Sequence, residues 1–213
     1  RQPIYHLQRA LALAGLARWD DAIAAAEAAR RLDPNRAEPY ETLGRIYLAR
    51  KDTARAQDMY ARAIELKPDL TSARLALGTL LGFTRQPEAA LQQYEAAAAT
   101  DPRSQPPVVA KVTALVRAKR GDEALAFLDA RIKSQGEAAP LLTLRGHVYL
   151  AKGQARKAGA EYRRAIKADD AYAPARFALA RRALGAGNEE QAIVHLHGVI
   201  AGMPGHGAAG RAP

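Results

Sequence analysis

Five histidines and a few paired carboxylates are the groups in this chain best suited to catalysis or metal binding. The histidines are His6, His147, His195, His197 and His206. His195 and His197 stand two places apart, so on a helix they point to different faces and do not share a metal by local spacing. A histidine site that draws in His206 is the one metal reading left open by position. Asp20-Asp21 and Glu189-Glu190 fall at helix starts, where a carboxylate complements the helix dipole. No G-x-S-x-G, H-E-x-x-H, P-loop or G-x-G-x-x-G sequence occurs. The chain has no cysteine, which excludes thiol catalysis, thiolate metal sites and disulfides. The expectation is a protein without catalytic residues, metal site or cofactor.

The elements that place the remaining polar groups follow a fixed period. Residues 37–70 read as two amphipathic helices and a stop signal. Tyr40, Leu43, Gly44 and Tyr47 share one face, Ala56, Tyr60 and Ala63 share the next after a polar break, and Pro68 closes the unit. Laid over the rest of the chain, this frame gives six repeats without an insertion: 3–36, 37–70, 71–104, 105–138, 139–172 and 173–206. A Gly/Ala/Pro tail, 207–213, follows. A small side chain recurs eight places into most repeats, as Ala10, Gly44, Gly78, Gly146 and Ala180, with Val112 the exception. Alanine opens the core face of every second helix, at Ala22, Ala56, Ala90, Ala124, Ala158 and Ala192. Small residues at these crossings let antiparallel helices approach closely. Hydrophobic residues make up 48% of the chain but aromatics only 6%, so the interior is alanine-rich and suits helices rather than sheets.

The order Y-x2-L-G-x2-Y, then A-x3-Y-x2-A, then P resembles the tetratricopeptide repeat. The resemblance implies an all-α fold, a right-handed α-α superhelix of helix-turn-helix units, acting as a non-enzymatic scaffold. It also implies that first helices line a concave groove for a peptide or helix of a partner protein. Carried onto this chain, the central row of that groove is Leu11, Arg45, Thr79, Thr113, His147 and Arg181. A turn earlier come Leu7, Glu41, Leu75, Val109, Thr143 and Phe177. A turn later come Ala14, Leu48, Gly82, Val116, Leu150 and Leu184. Phe83 and Arg117 border it. The groove is apolar with basic or polar points, which fits an amphipathic helix or apolar segment carrying a few acids. It reproduces neither the carboxylate clamp nor the asparagine ladder known in the family. In bacteria, members of this kind serve secretion, polysaccharide export, pilus assembly or regulation. A regulatory or docking arm of a larger enzyme is the alternative.

The net charge is +10. Arg18, Arg50, Lys51, Arg85, Lys119, Arg120 and Lys152 all fall at turns inside repeats and are expected to line up as a basic ridge. Such a ridge suits an anionic polymer, although solvated turn charge is the plainer explanation and nucleic acid is the disfavoured partner. The fourth repeat departs most from the frame. Lys111, Val112 and Arg131 replace Leu, Gly and Ala, and Ser134-Gln135-Gly136 marks a candidate bend. The first helix is apolar on nearly every face, and the tail offers no solvating last helix. The array is therefore expected to continue or to associate through its ends. No apolar run approaches a membrane span of ~20 residues. A start inside a repeat leans towards a soluble periplasmic rather than cytoplasmic chain.

Overall fold

The computed structural model describes residues 2–202. His206, Met203-Pro204-Gly205 and the tail 207–213 lie outside the described residues, so the sequence readings that use them have no structural counterpart. The described residues form twelve helices and no strand. In chain order these are α1 (Pro3–Gly15), α2 (Trp19–Leu32), α3 (Ala37–Ala49), α4 (Thr53–Leu66), α5 (Thr71–Phe83) and α6 (Pro87–Thr100). They continue as α7 (Gln105–Arg117), α8 (Gly121–Gln135), α9 (Ala139–Ala151), α10 (Ala155–Ala168), α11 (Ala173–Gly185) and α12 (Glu189–Ala201). Each odd-numbered helix begins on the first residue of a predicted repeat. None of the helices is long and apolar enough to cross a membrane.

The chain divides into two compact bodies, one up to Ala114 and one from Leu115, with the boundary inside α7. The division therefore falls in the fourth repeat but earlier than Ser134-Gln135-Gly136. There Gly136, at φ +88°, simply ends α8. In the N-terminal body Leu43, Ile46, Tyr60 and Leu80 are essentially fully buried. In the C-terminal body Leu128, Leu142, Val148 and Tyr162 are. Burying each such side chain is worth about 1.5–3 kcal/mol, and this is what holds helices together that are individually too short to stand in water. The alanine slots behave as the frame requires: Ala22, Ala56, Ala90, Ala124, Ala158 and Ala192 are all 0% or 1% exposed.

Turns repeat as faithfully as helices. Inside every repeat the first helix ends in a Schellman motif, in which an N–H reaches back five residues. Examples are Asp52 N–H to Tyr47 O at 2.8 Å and Gln154 N–H to Tyr149 O at 2.8 Å. The motif needs a left-handed residue, and Ala17, Lys51, Arg85, Lys119, Gly153 and Gly187 supply it with φ between +55° and +74°. Four of the six are not glycine, and a side chain in that region costs about 1 kcal/mol. Lys51→Gly should therefore stabilise the protein by about 0.5 kcal/mol once the extra entropy of unfolded glycine is subtracted. Urea denaturation reads this directly, and Gly153→Lys should show the opposite sign. Between repeats, Asp33, Asp101 and Asp169 each accept the N–H two residues on. From the next helix Tyr40 and Arg74 reach back to the turn carbonyls of Pro34 and Pro68, and Arg176 to that of Asp170.

Lys111 and its equivalent in the fifth repeat, Arg145, prove to be paired charges. Lys111, in a position that is leucine in the second and third repeats, meets Glu95 of the preceding helix at 2.8 Å. Arg145, one repeat later, makes the equivalent bond to Asp129 at 2.6 Å. Its Nε and Nη2 also donate to Glu161 Oε2 at 3.0 and 2.7 Å. Arg164 donates to Glu161 Oε1 at 2.9 Å and also pairs with Glu137. Arg145 and Glu161 are both buried. Burial works against the Arg145 charge, but the hydrogen bonds and charges of Glu161 and Asp129 outweigh it and raise its pKa. Arg131, at a slot that is otherwise small, lies with its guanidinium 5.2 Å from the Phe127 ring centroid.

Candidate functional site

The residues of the N-terminal body expected to line a groove are carried by α3 and α5. Residues in register on these helices stand one repeat apart, and α4 packs behind them. Arg45 and Thr79 are exposed, while Glu41, Leu48 and Leu75 are half-buried. Around Arg45 the surface dips into a depression of about 500 Å³, lined by Glu41, Arg45, Leu48, Ala49, Tyr60, Ser72 and Ala76. Its wall is the stem of Leu48 and the edge of Tyr60, and its rim carries one acid, one base and a serine hydroxyl. Val109 and Thr113, on α7, are exposed.

Sequence reasoning assigned the second-helix tyrosines to packing alone, and the structure gives them a further part. Tyr60 is 1% exposed, and burial pushes its pKa to about 12, with the charge of Arg45 opposing and that of Glu41 adding. One repeat later the Tyr94 hydroxyl donates to Thr79 Oγ at 3.3 Å. In the C-terminal body the Tyr162 ring meets the His147 ring edge-on at 5.5 Å. Each tyrosine thus brings its ring or hydroxyl close to Arg45, Thr79 or His147, the residue of its own repeat in the central candidate row. The signal was in the frame, since tyrosine recurs sixteen places after Gly44, Gly78 and Gly146. The glycines make room: a Cβ on Gly44 would lie 2.8 Å from Tyr60 Cε1 and one on Gly78 2.6 Å from Tyr94 Cε1.

In the C-terminal body the site residues come from α9 and α11. His147 and Arg181 are exposed, Leu150 is half-buried, and Phe177 is 50% exposed. Burial first, and then the positive charge of Arg181, hold the His147 imidazole below its ordinary pKa, so the neutral form prevails near neutrality. Val116, on the part of α7 that belongs to this body, is half-buried. Thr143 is a correction. It is 3% exposed, so it belongs to the interior rather than the groove, because α9 turns that face towards its neighbours. The hydroxyls of Thr143 and Tyr162 are both buried without a hydrogen-bond partner among the described residues.

The turn cations are less free than their spacing suggests. Arg18 pairs with Asp21 at 2.6 Å, Arg50 with Asp20 at 2.9 Å, Arg120 with Glu123 at 2.6 Å, and Lys152 with Asp122. Lys51, Arg85 and Lys119 remain exposed at their left-handed turns. Among the described residues, no three histidine or acidic side chains gather in a way that would hold a metal ion.

Comparisons with known proteins agree on the architecture. Two sequence models of the tetratricopeptide repeat match residues 7–71 and 139–172. No curated protein sequence matches the chain. Among solved structures, Pseudomonas aeruginosa pilF superposes with a TM-score of 0.64 at 14% identity, covering 95% of this chain and 92% of that one. PilW, a widely conserved type IV pilus biogenesis factor, gives 0.61 at 20% identity, with 93% and 92% covered. YrrB, described as a TPR protein with an unusual peptide-binding site, gives 0.56 at 23% identity, with 81% and 89% covered. Identities this low speak to the fold alone. Residues 7–71 and 139–172 thus carry tetratricopeptide repeats, and the twelve helices and recurring turns extend the same helix-turn-helix frame through the described residues.

Proposed function

We propose that this chain is a non-enzymatic interaction scaffold whose first helices hold an apolar peptide or amphipathic helix bearing one or two acids. The observation that carries the reading is the depression at Glu41, Arg45, Leu48 and Tyr60, which coincides with the row set out by the repeat frame. Apolar walls supply most of the binding energy in such a site, and a single exposed cation fixes the register of an acid on the partner. His147 and Arg181 give the C-terminal body a second polar point of the same kind, beside Leu150 and the exposed Phe177. YrrB, with its peptide-binding site, and PilW, with its place in pilus biogenesis, make an assembly role in the cell envelope the setting we favour.

The test is selection of a short-peptide display library on the protein. Enriched peptides should be apolar with isolated acids. Arg45→Glu with Arg181→Glu should weaken them about tenfold or more, as expected when charge-assisted contacts become repulsive. Arg50→Glu with Lys119→Glu should leave them unchanged. The reverse pattern would remove the groove and favour the turn cations as the binding surface. In that case retention on heparin should fall steeply with salt.

A further inference from the structure

The geometry points to a phosphate-monoester site between α10, α11 and α12, on residues the groove does not use. A depression of about 470 Å³ is lined there by Arg163, Arg182, His195, Asn188 and Gln191, with Leu179 and Val194 among its apolar walls. No aspartate or glutamate lines it. Arg163 and Arg182 reach the same spot. A Cβ placed on Gly159 would collide with Arg182 Nη1 and lie 3.5 Å from Arg163 Nη1. Among the described residues neither guanidinium has a carboxylate partner, whereas Arg145, Arg164 and Arg176 of the same body all do.

The repeat frame shows that this arrangement is built rather than incidental. Arg163 stands where other repeats carry Glu27, Glu95 and Asp129, so the charge at that slot is reversed. Arg182 stands where they carry Ile46, Leu80 and Val148, all buried. Gly159 replaces Ile23, Leu91 and Leu125, clearing the space into which the Arg182 guanidinium folds. His195 stands in a slot that the frame leaves free to vary (Ala25, Met59, Gln93, Phe127 and Glu161), and it carries no acid to answer these charges as Glu161 answers Arg145 one repeat earlier. Burial, and then the charges of Arg176 and Arg163, hold the His195 pKa below the ordinary value. Three departures, at Arg163, Arg182 and Gly159, leave convergent cations with side-chain amides beside them and no acid lining the depression.

Like charges held together favour a ligand that brings compensating charge, and two guanidiniums match the oxygens of a phosphate dianion. The opening is larger than a bare phosphate needs, and Leu179 and Val194 offer a surface for whatever bears it. The ligand class is therefore a phosphate monoester, on a side chain or on a small molecule.

Calorimetric titration of the whole chain with inorganic phosphate, O-phosphoserine, a hexose phosphate and acetate tests the assignment. Phosphate should bind and acetate should bind at least about tenfold more weakly, since acetate carries half the charge and cannot satisfy both guanidiniums. One of the two monoesters should bind more tightly than inorganic phosphate, and which one does identifies the bearer. Arg163→Glu, at an exposed position that tolerates change, should abolish binding, as should Arg182→Gln. Arg85→Gln, in the other body, should not affect it. Equal affinity for acetate and phosphate, monoesters no tighter than inorganic phosphate, or phosphate binding that survives Arg163→Glu would each overturn the proposal.

Discussion

Replacing Glu161 by alanine should destabilise the C-terminal body by about 3–5 kcal/mol, the cost of leaving a buried guanidinium without its counter-charge. Arg145 and Glu161 have side chains only 11% and 10% exposed, and two of the three hydrogen bonds from the Arg145 guanidinium end on Glu161. Asp129, at 55% exposure, cannot replace what Glu161 gives. The pair need not be stabilising relative to an apolar core for its rupture to be costly, because both charges have already been taken out of water. The second repeat supplies the control. Leu43 and Met59 occupy the slots equivalent to Arg145 and Glu161; Leu43 is 0% exposed, and Met59 packs against the core. The double substitution Arg145→Leu/Glu161→Met should fall within about 1 kcal/mol of the parent, far above the single Glu161→Ala. Chemical denaturation of the three proteins measures this, and a double variant as unstable as the single one would show that the network itself, not the unpaired charge, carries the stability.

Helices were legible in this sequence because the frame has no insertions. Once the repeat at 37–70 was placed, every helix start followed from it, and the alanine crossings at Ala56, Ala90 and Ala158 are as buried as their spacing required. Exposure along the proposed row followed from the same frame, since Arg45, Thr79, His147 and Arg181 are all exposed on first helices. Pairwise relations between neighbouring repeats were harder to see. Lys111 stood out as a departure, but its partner Glu95 lies sixteen residues earlier in another repeat, and the identical spacing of Asp129 and Arg145 is visible only when the two are compared. Among the turn cations, the acids that pair with Arg50 and Lys152, Asp20 and Asp122, sit thirty residues away, so these two ion pairs are not visible in a single repeat. Side-chain electrostatics in a solenoid depend on the neighbour one repeat away, and a frame read one repeat at a time does not see it. The left-handed turn was hidden for a different reason, since Lys51, Arg85 and Lys119 fill it in place of glycine.

Gly146→Ala should destabilise the protein by about 1–2 kcal/mol, although alanine is the better helix former by nearly 1 kcal/mol. The added methyl would run into the edge of the Tyr162 ring, which is 0% exposed and so moves only by displacing its neighbours. The sixth repeat shows how the same crossing is closed without glycine. There Ala180, 2% exposed, packs with Leu196, and no aromatic is present. Tyr162→Leu alone should also cost about 2 kcal/mol by opening a cavity over Gly146, but it breaks no hydrogen bond, since the phenol hydroxyl has no partner. Combined, Gly146→Ala/Tyr162→Leu recreates the Ala180–Leu196 pair and should be more stable than the sum of the singles predicts by about 1–2 kcal/mol. A double-mutant cycle in urea gives that coupling directly. Strict additivity would mean that glycine at this crossing is not held by the ring above it. The combined variant also removes the aromatic ring that meets His147. Peptide binding that depends on His147 and Arg181 should then weaken even where stability is restored, which separates the part the tyrosine plays in packing from the part it plays beneath the groove.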